Sequence, residues 1–165
     1  MGVQAVTQFS DSNQKRAFTK QLLNEIKALD YMLEHNMIER NTSRIGAEQE
    51  LVLLDSDLKP ALNNMELLNM IKDDHYTTEI ARFNLEINLD PFDFKKDCFE
   101  RMETQLSTLL AKGEQAAEKL KTNILLTGIA PTLGQEHLHF EQMTPNARYQ
   151  SLNDVIRAER KTDFE

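Results

Sequence analysis

Tryptophan is absent, cysteine occurs once, and only five glycines and four prolines stand among the 165 residues. So little Gly and Pro excludes collagen-like and low-complexity chains, and 40% hydrophobic with 28% charged residues fits an ordinary globular domain. A lone cysteine, Cys98, excludes an internal disulfide framework and a zinc ribbon; it reads as a packing residue suited to a reducing compartment. No apolar stretch reaches the length of a membrane-spanning helix. The first ten residues lack the basic and apolar regions of a secretory signal, and Gly2 fails as a myristoylation site because Val6 stands where Ser or Thr is required. The expected location is the cytoplasm, with no membrane contact. No run of Lys or Arg offers a phosphate-binding stripe, and the net charge is −8, which excludes nucleic acid as the natural partner. Also missing are a Gly-rich phosphate loop, a Gly-x-Ser-x-Gly elbow and a Cys-x-x-Cys pair, so Walker-type, hydrolase and zinc-ribbon readings drop out.

What is present is periodicity. Phe18, Leu22, Ile26, Leu29 and Leu33 recur every three or four positions behind Asp11, a good helix cap, and predict a long amphipathic helix over 13–36. Phe99, Met102, Leu106, Leu109, Gly113, Ala116 and Leu120 predict a second, with Asp97 at its start and Lys119 and Lys121 at its end. Both need a sheet to cover. Segments 44–55, 76–90 and 123–129 are rich in strand-forming residues and bounded by turn chemistry such as Asp57-Leu58-Lys59-Pro60 and Asp90-Pro91. A short helix over 65–71 links the first two, a loop punctuated by Pro131, Gly134 and Pro145 covers 130–146, and a last helix starts near Tyr149. The pattern predicts an α+β fold with a mostly antiparallel sheet covered by helices. His35 and His75 read as helix-end or turn residues, and Met65, Met70 and Met102 as packing. His137 and His139 form either a surface pair or, beside Glu136 and Glu141, a transition-metal pair.

The carboxylates carry the chemistry. A strand period of two sends Glu48 and Glu50 to one face and Ala47, Leu51 and Leu53 to the other. With 16 Glu in the chain, about one or two Glu-x-Glu pairs arise by composition alone, and a solvated strand face is the competing reading. Against it, Val52 and Leu54 continue the acidic face. In the second segment Leu85, Ile87 and Leu89 alternate with Asn84, Glu86 and Asn88. Glu79 lies seven residues before Glu86, which on one straight strand points it the opposite way; a bend near Ala81-Arg82 would bring the two together. Four Glu converging on one sheet surface would offer hard oxygen ligands suited to Mg²⁺.

Four ordered segments carry a family resemblance: Gly46-x-Glu48-x-Glu50; Thr77-Thr78-Glu79-Ile80-Ala81-Arg82-Phe83-Asn84-Leu85-Glu86-Ile87-Asn88; Leu126-Thr127-Gly128-Ile129-Ala130-Pro131-Thr132-Leu133; and Met143-Thr144-Pro145-Asn146-Ala147-Arg148-Tyr149. Together they resemble the N-terminal part of the glutamate–cysteine ligase family, above all its bacterial carboxylate–amine ligase branch. The resemblance implies a glutamine-synthetase-like catalytic domain whose acidic sheet face holds Mg²⁺ against the phosphates of ATP. It implies that Glu48, Glu50 and Glu86 are metal ligands and that Glu79 belongs to the same metal and substrate site. Arg82 and Arg148 match family positions as candidate substrate contacts, with a salt bridge to the surplus acids as the alternative. The implied activity joins a carboxylate, that of the glutamate side chain, to an amine, that of cysteine. The partners are then amino acids and ATP. A related ligase with another amine and a non-catalytic module keeping the fold are the rival readings. Because the family's later motifs have no counterpart before residue 165, the chain is expected to be part of a larger catalytic domain. The expected division is a helical region over 1–40 and the start of the sheet over 41–165, inactive and prone to self-association when alone.

Overall fold

The computed structural model describes residues 11–161. The readings of the first ten residues, Gly2 included, lie outside the described residues. The chain falls into two compact units, Met1–Ser43 and Arg44–Glu165.

Among the described residues, the first unit holds one helix, α1 (Ser12–Glu34). Its start is fixed as expected: the Asp11 carboxylate accepts the backbone N–H groups of Asn13 and Gln14 at 2.7 and 2.9 Å, satisfying two donors that the first turn leaves without partners. At its other end His35 stacks on Tyr31, ring centroids 3.8 Å apart. None of its residues is buried.

The second unit is α+β. Its main sheet is wholly antiparallel, in the order β3 (Tyr76–Thr78), β4 (Asn84–Asn88), β2 (Glu48–Leu54), β6 (Asn123–Leu125). A two-stranded ladder joins β1 (Arg44–Ile45) to β5 (Phe92–Asp93). Helices α2 (Asn64–Ile71) and α3 (Cys98–Lys119) pack on one face of the sheet, and α4 (Ala147–Arg160) follows the 126–146 segment. The alternation in the sequence decides which side chains meet the helices. Leu51 and Leu53 of β2 and Leu85 and Ile87 of β4 are fully buried against Leu67, Ile71, Leu109, Ala116 and Ala117. Fully burying each such side chain is worth about 1.5–3 kcal/mol.

Three expectations change. The stretch 76–90 is not one strand: it reverses between Thr78 and Asn84, and β3 pairs with β4 as a hairpin. The inner ridge of α3 begins with Cys98, which is buried, whereas Phe99 points outward and meets Phe94 edge-on. Met65 and Met70 are exposed, because α2 turns Asn64, Leu67 and Ile71 inward instead.

Gly113 lets α3 approach the sheet. A Cβ there would sit 2.8 Å from the Tyr76 hydroxyl, and that ring is buried with its O–H donated to the Leu109 carbonyl. Burial pushes the phenol up to about 12, so it stays a donor. Gly113→Ala gains about 1 kcal/mol of helix propensity but forces overpacking that costs about 1–3 kcal/mol. A net loss of stability is therefore expected in thermal unfolding, and a stabilised variant would show that the Tyr76 ring yields freely.

A polar junction ties α3 to the start of β3. Asp73 accepts from Lys112 Nζ at 2.6 Å and from His75 Nδ1 at 2.8 Å, while His75 Nε2 lies 3.4 Å from Asp90. Gln105 bridges to Asp90, donating from Nε2 and accepting the Asp90 backbone N–H. Lys112 foremost, with His75, holds Asp73 well below the usual carboxylate range, and Asp73 foremost, with Asp90, raises His75 above its ordinary 6.5. A lowered acid contributes stability above its ordinary value that is lost as pH falls; a raised histidine contributes stability below 6.5 that is lost as pH rises through its raised value. Melting temperature should therefore decline on the alkaline side of 6.5 in the wild type. His75→Gln should remove that decline, and an unchanged profile would show that the junction does not contribute.

Candidate functional site

The other face of the sheet is divided along β2. Its upper half, Val52 and Leu54, is buried beneath Leu125, Ala130 and Leu133, so the 126–146 segment covers the apolar part of the face. Its lower half carries Glu50 and Glu48, both exposed. This resolves the mixed pattern in the sequence: one strand face is half covered and half left to carboxylates.

Glu50 stands directly opposite Glu86 in the β2–β4 ladder, and Glu48 opposite Asn88. Directly opposed side chains have Cβ atoms about 4.5–5.5 Å apart. Glu79 enters from the hairpin. In the β3–β4 register Thr77 faces Glu86, so Glu79, two residues beyond Thr77, returns to the same face diagonally from Glu86. The odd spacing of seven, which separates the two on a single strand, unites them across a chain reversal. Carboxylate oxygens of Glu50, Glu79 and Glu86 all lie within 4.8 Å of one another. Glu48 shares the face but lies outside this group.

The reversal carrying Glu79 is held by distant residues. Asn64, fully buried at the start of α2, donates from Nδ2 to the Ala81 and Asn84 carbonyls at 3.3 and 3.2 Å and to Thr144 Oγ1 at 2.8 Å. Thr144 passes its own hydroxyl proton to the Glu79 carbonyl at 2.6 Å, and its backbone N–H to Ile80 at 2.7 Å. A bridge between Ala81 and Met143 completes the clamp.

The electrostatics follow from this crowding. Partial burial raises the Glu86 carboxyl above its ordinary 4.5, and Glu79 raises it further, against the lowering effect of Asn88, whose Nδ2 donates to Glu86 at 2.6 Å. Tyr149, near the start of α4, belongs to the same surroundings: burial and the charges of Glu79 and Glu86 raise its phenol, while Arg148 and a hydrogen bond with Thr78 oppose the rise. Sequence reasoning quoted Tyr149 only within a motif and as a helix start. Its phenol is the functional candidate that was missed, and its aromatic side chain three residues past a helix cap gave no signal of its function.

The remaining candidates lie elsewhere. Arg82 donates from Nη2 to the Leu62 carbonyl at 3.1 Å, which makes it a brace between the reversal and the approach to α2. Arg148 is exposed, and its charge opposes the rise of the Tyr149 phenol. His137 accepts the Gly134 N–H on Nδ1 at 3.0 Å within a tight turn and meets Phe83 edge-on, with its side chain 15% exposed, whereas His139 is exposed.

Carboxylate oxygens from β2, from β4 and from the reversal between β3 and β4 are close enough together that they could hold a hard divalent cation. No family model, curated protein or solved structure matches this chain. No helix among the described residues is long and apolar enough to cross a membrane.

Proposed function

We propose that this chain supplies the metal-facing part of an ATP- and Mg²⁺-dependent carboxylate–amine ligase with a glutamine-synthetase-like fold, as the motif resemblance implies. The observation that supports the reading is the meeting of Glu50, Glu79 and Glu86, drawn from two resembling segments, on one sheet face. Glu48, on the same face one pleat further along, joins the proposed ligand set through water.

In the proposed reaction a carboxylate oxygen of the acid attacks the γ-phosphorus of ATP, the bond to the bridging oxygen breaks, and ADP leaves. An amine then attacks the acyl carbon, gives up a proton, and displaces phosphate to leave an amide. Mg²⁺, when bound, neutralises the phosphate oxygens between which charge moves. The protein's own part is to hold that cation with carboxylates and to align the acid, since phosphoryl transfer depends on position and charge rather than on covalent help.

Glutamate and cysteine are the proposed acid and amine. The test is ADP release by the full-length protein with Mg²⁺ across pairs of amino acids. Release that requires both an acid and an amine is the expected result. Cation binding with no ADP release from any pair would replace the ligase by a non-catalytic binding module.

A further inference from the structure

In the polar junction between α3 and the start of β3, one atom has two competing partners. His75 Nε2 lies 3.3 Å from Gln105 Nε2 and 3.4 Å from Asp90 Oδ1. The first neighbour is a donor and the second an acceptor, so a single proton decides which of them the ring can bond. The orientation of the Gln105 amide is fixed from both ends. Its Oε1 accepts the Asp90 backbone N–H at 3.1 Å and its Nε2 donates to Asp90 Oδ2, which leaves the second N–H of Nε2 for His75.

The other ring nitrogen keeps its proton throughout. Asp73 Oδ1 lies 2.8 Å from Nδ1, and Lys112 Nζ on Asp73 Oδ2 holds that carboxylate ionised, able only to accept. Nε2 is therefore the nitrogen that titrates. Without a proton it presents a lone pair that accepts from Gln105 and repels Asp90. With a proton it donates to Asp90 and turns Gln105 away.

The two partners lie on different elements. His75 precedes β3, and its carbonyl accepts the Asn88 N–H at 2.7 Å, the rung at the open end of the β3–β4 hairpin. Asp90 follows β4, so the protonated ring ties one arm of the hairpin directly to the other. Beyond the Asn88 rung, the neutral ring leaves the arms joined there only through Gln105 of α3. β3 is three residues long and stands at the edge of the sheet, so this tie weighs on how it is held. The charged groups facing the ring are Asp73 from its own turn, Asp90 from beyond β4 and, behind Asp73, Lys112 of α3. Asp73 foremost, with Asp90, raises His75 above its ordinary 6.5, which places the exchange on the alkaline side of that value.

We propose that His75 is a proton-operated clasp on the open end of the β3–β4 hairpin: protonated, its Nε2 closes onto Asp90; neutral, it passes to Gln105 and the end of the hairpin loosens. The clasp is independent of the ligase reading, since it uses none of the carboxylates of the sheet.

NMR of the whole chain with ¹⁵N-labelled histidine, together with amide hydrogen exchange, tests it. At alkaline pH His75 should be the neutral tautomer with its proton on Nδ1, the reverse of the form that free histidine favours in water. As pH rises through the His75 titration, protection of the Asn88 N–H should fall about two- to fivefold, after correction for the intrinsic pH dependence of exchange, as the loss of a part-exposed ion pair implies. His75→Gln should abolish that step. Asp90→Asn should weaken proton binding at His75 and Gln105→Ala should tighten it, each about threefold, because the first removes the partner of the charged ring and the second that of the neutral ring. A neutral ring with its proton on Nε2, shifts of the same sign in the two variants, or Asn88 protection without a pH step would each overturn the proposal.

Discussion

Glu86→Gln is expected to remove divalent-cation binding while making the cation-free protein more stable. Glu86 faces Glu50 directly and Glu79 diagonally, and like charges directly opposed across an antiparallel pair cost about 0.2–1 kcal/mol. Glutamine removes that repulsion and still accepts the Asn88 amide, so nothing is left without a partner. The melting temperature without cation should rise by about 2–4 °C per kcal/mol relieved. The pH dependence has a definite sign. An acid whose folded value is raised stabilises the protein below its ordinary value, 4.5, and that contribution is lost as pH rises through the raised value. The wild type without cation should therefore lose melting temperature across this range, and the variant should not.

With Mn²⁺ or Mg²⁺ the order inverts. The wild type should gain stability by mass action and the variant should gain little. If the full-length protein is the proposed ligase, the same change should cost at least about 100-fold in ADP release. A solvated strand face predicts none of this: binding would be weak in both proteins, and their melts would shift together with salt. Calorimetric titration of the two proteins with Mn²⁺ separates the readings before any substrate is known.

The parts of this site that could be read from sequence were those governed by local parity. Alternation placed Leu51, Leu53, Leu85 and Ile87 inward and Glu48, Glu50 and Glu86 outward, and the ladder agrees residue by residue. The long helices were readable for the same reason, with α3 ending at Lys119 and α1 starting behind Asp11. The reversal at 79–83 was not. It contains no Gly, Pro or Asn, the residues that announce a turn, and is specified instead by Asn64 and the 142–144 stretch, both remote in sequence. A bend within one strand was the expected device, and a hairpin is the observed one. Both bring Glu79 to Glu86, but only the hairpin explains why an odd spacing serves. Arg82 shows the converse limit, since a motif position gave no warning that its guanidinium braces the Leu62 carbonyl.

That remote specification makes Asn64 the most consequential residue away from the carboxylates, and Asn64→Ala should destabilise the protein by about 2–4 kcal/mol. The side chain is fully buried, and its removal leaves a cavity, the Ala81 and Asn84 carbonyls without their donor, and Thr144 Oγ1 without the proton it accepts. Part of the loss should appear as function, because the same hydroxyl fixes the Glu79 carbonyl. Asn64→Ala should weaken Mn²⁺ binding at temperatures where the variant is still folded. Thr144→Val, which breaks the Asn64–Thr144–Glu79 relay while keeping its volume, should weaken binding with a smaller loss of stability. Residues acting through one relay are not additive, so the double variant should bind Mn²⁺ little worse than the weaker single one. Additive losses would mean that Asn64 supports only the core. Unchanged binding in Thr144→Val would mean that the hairpin holds Glu79 in place by its own strand pairing.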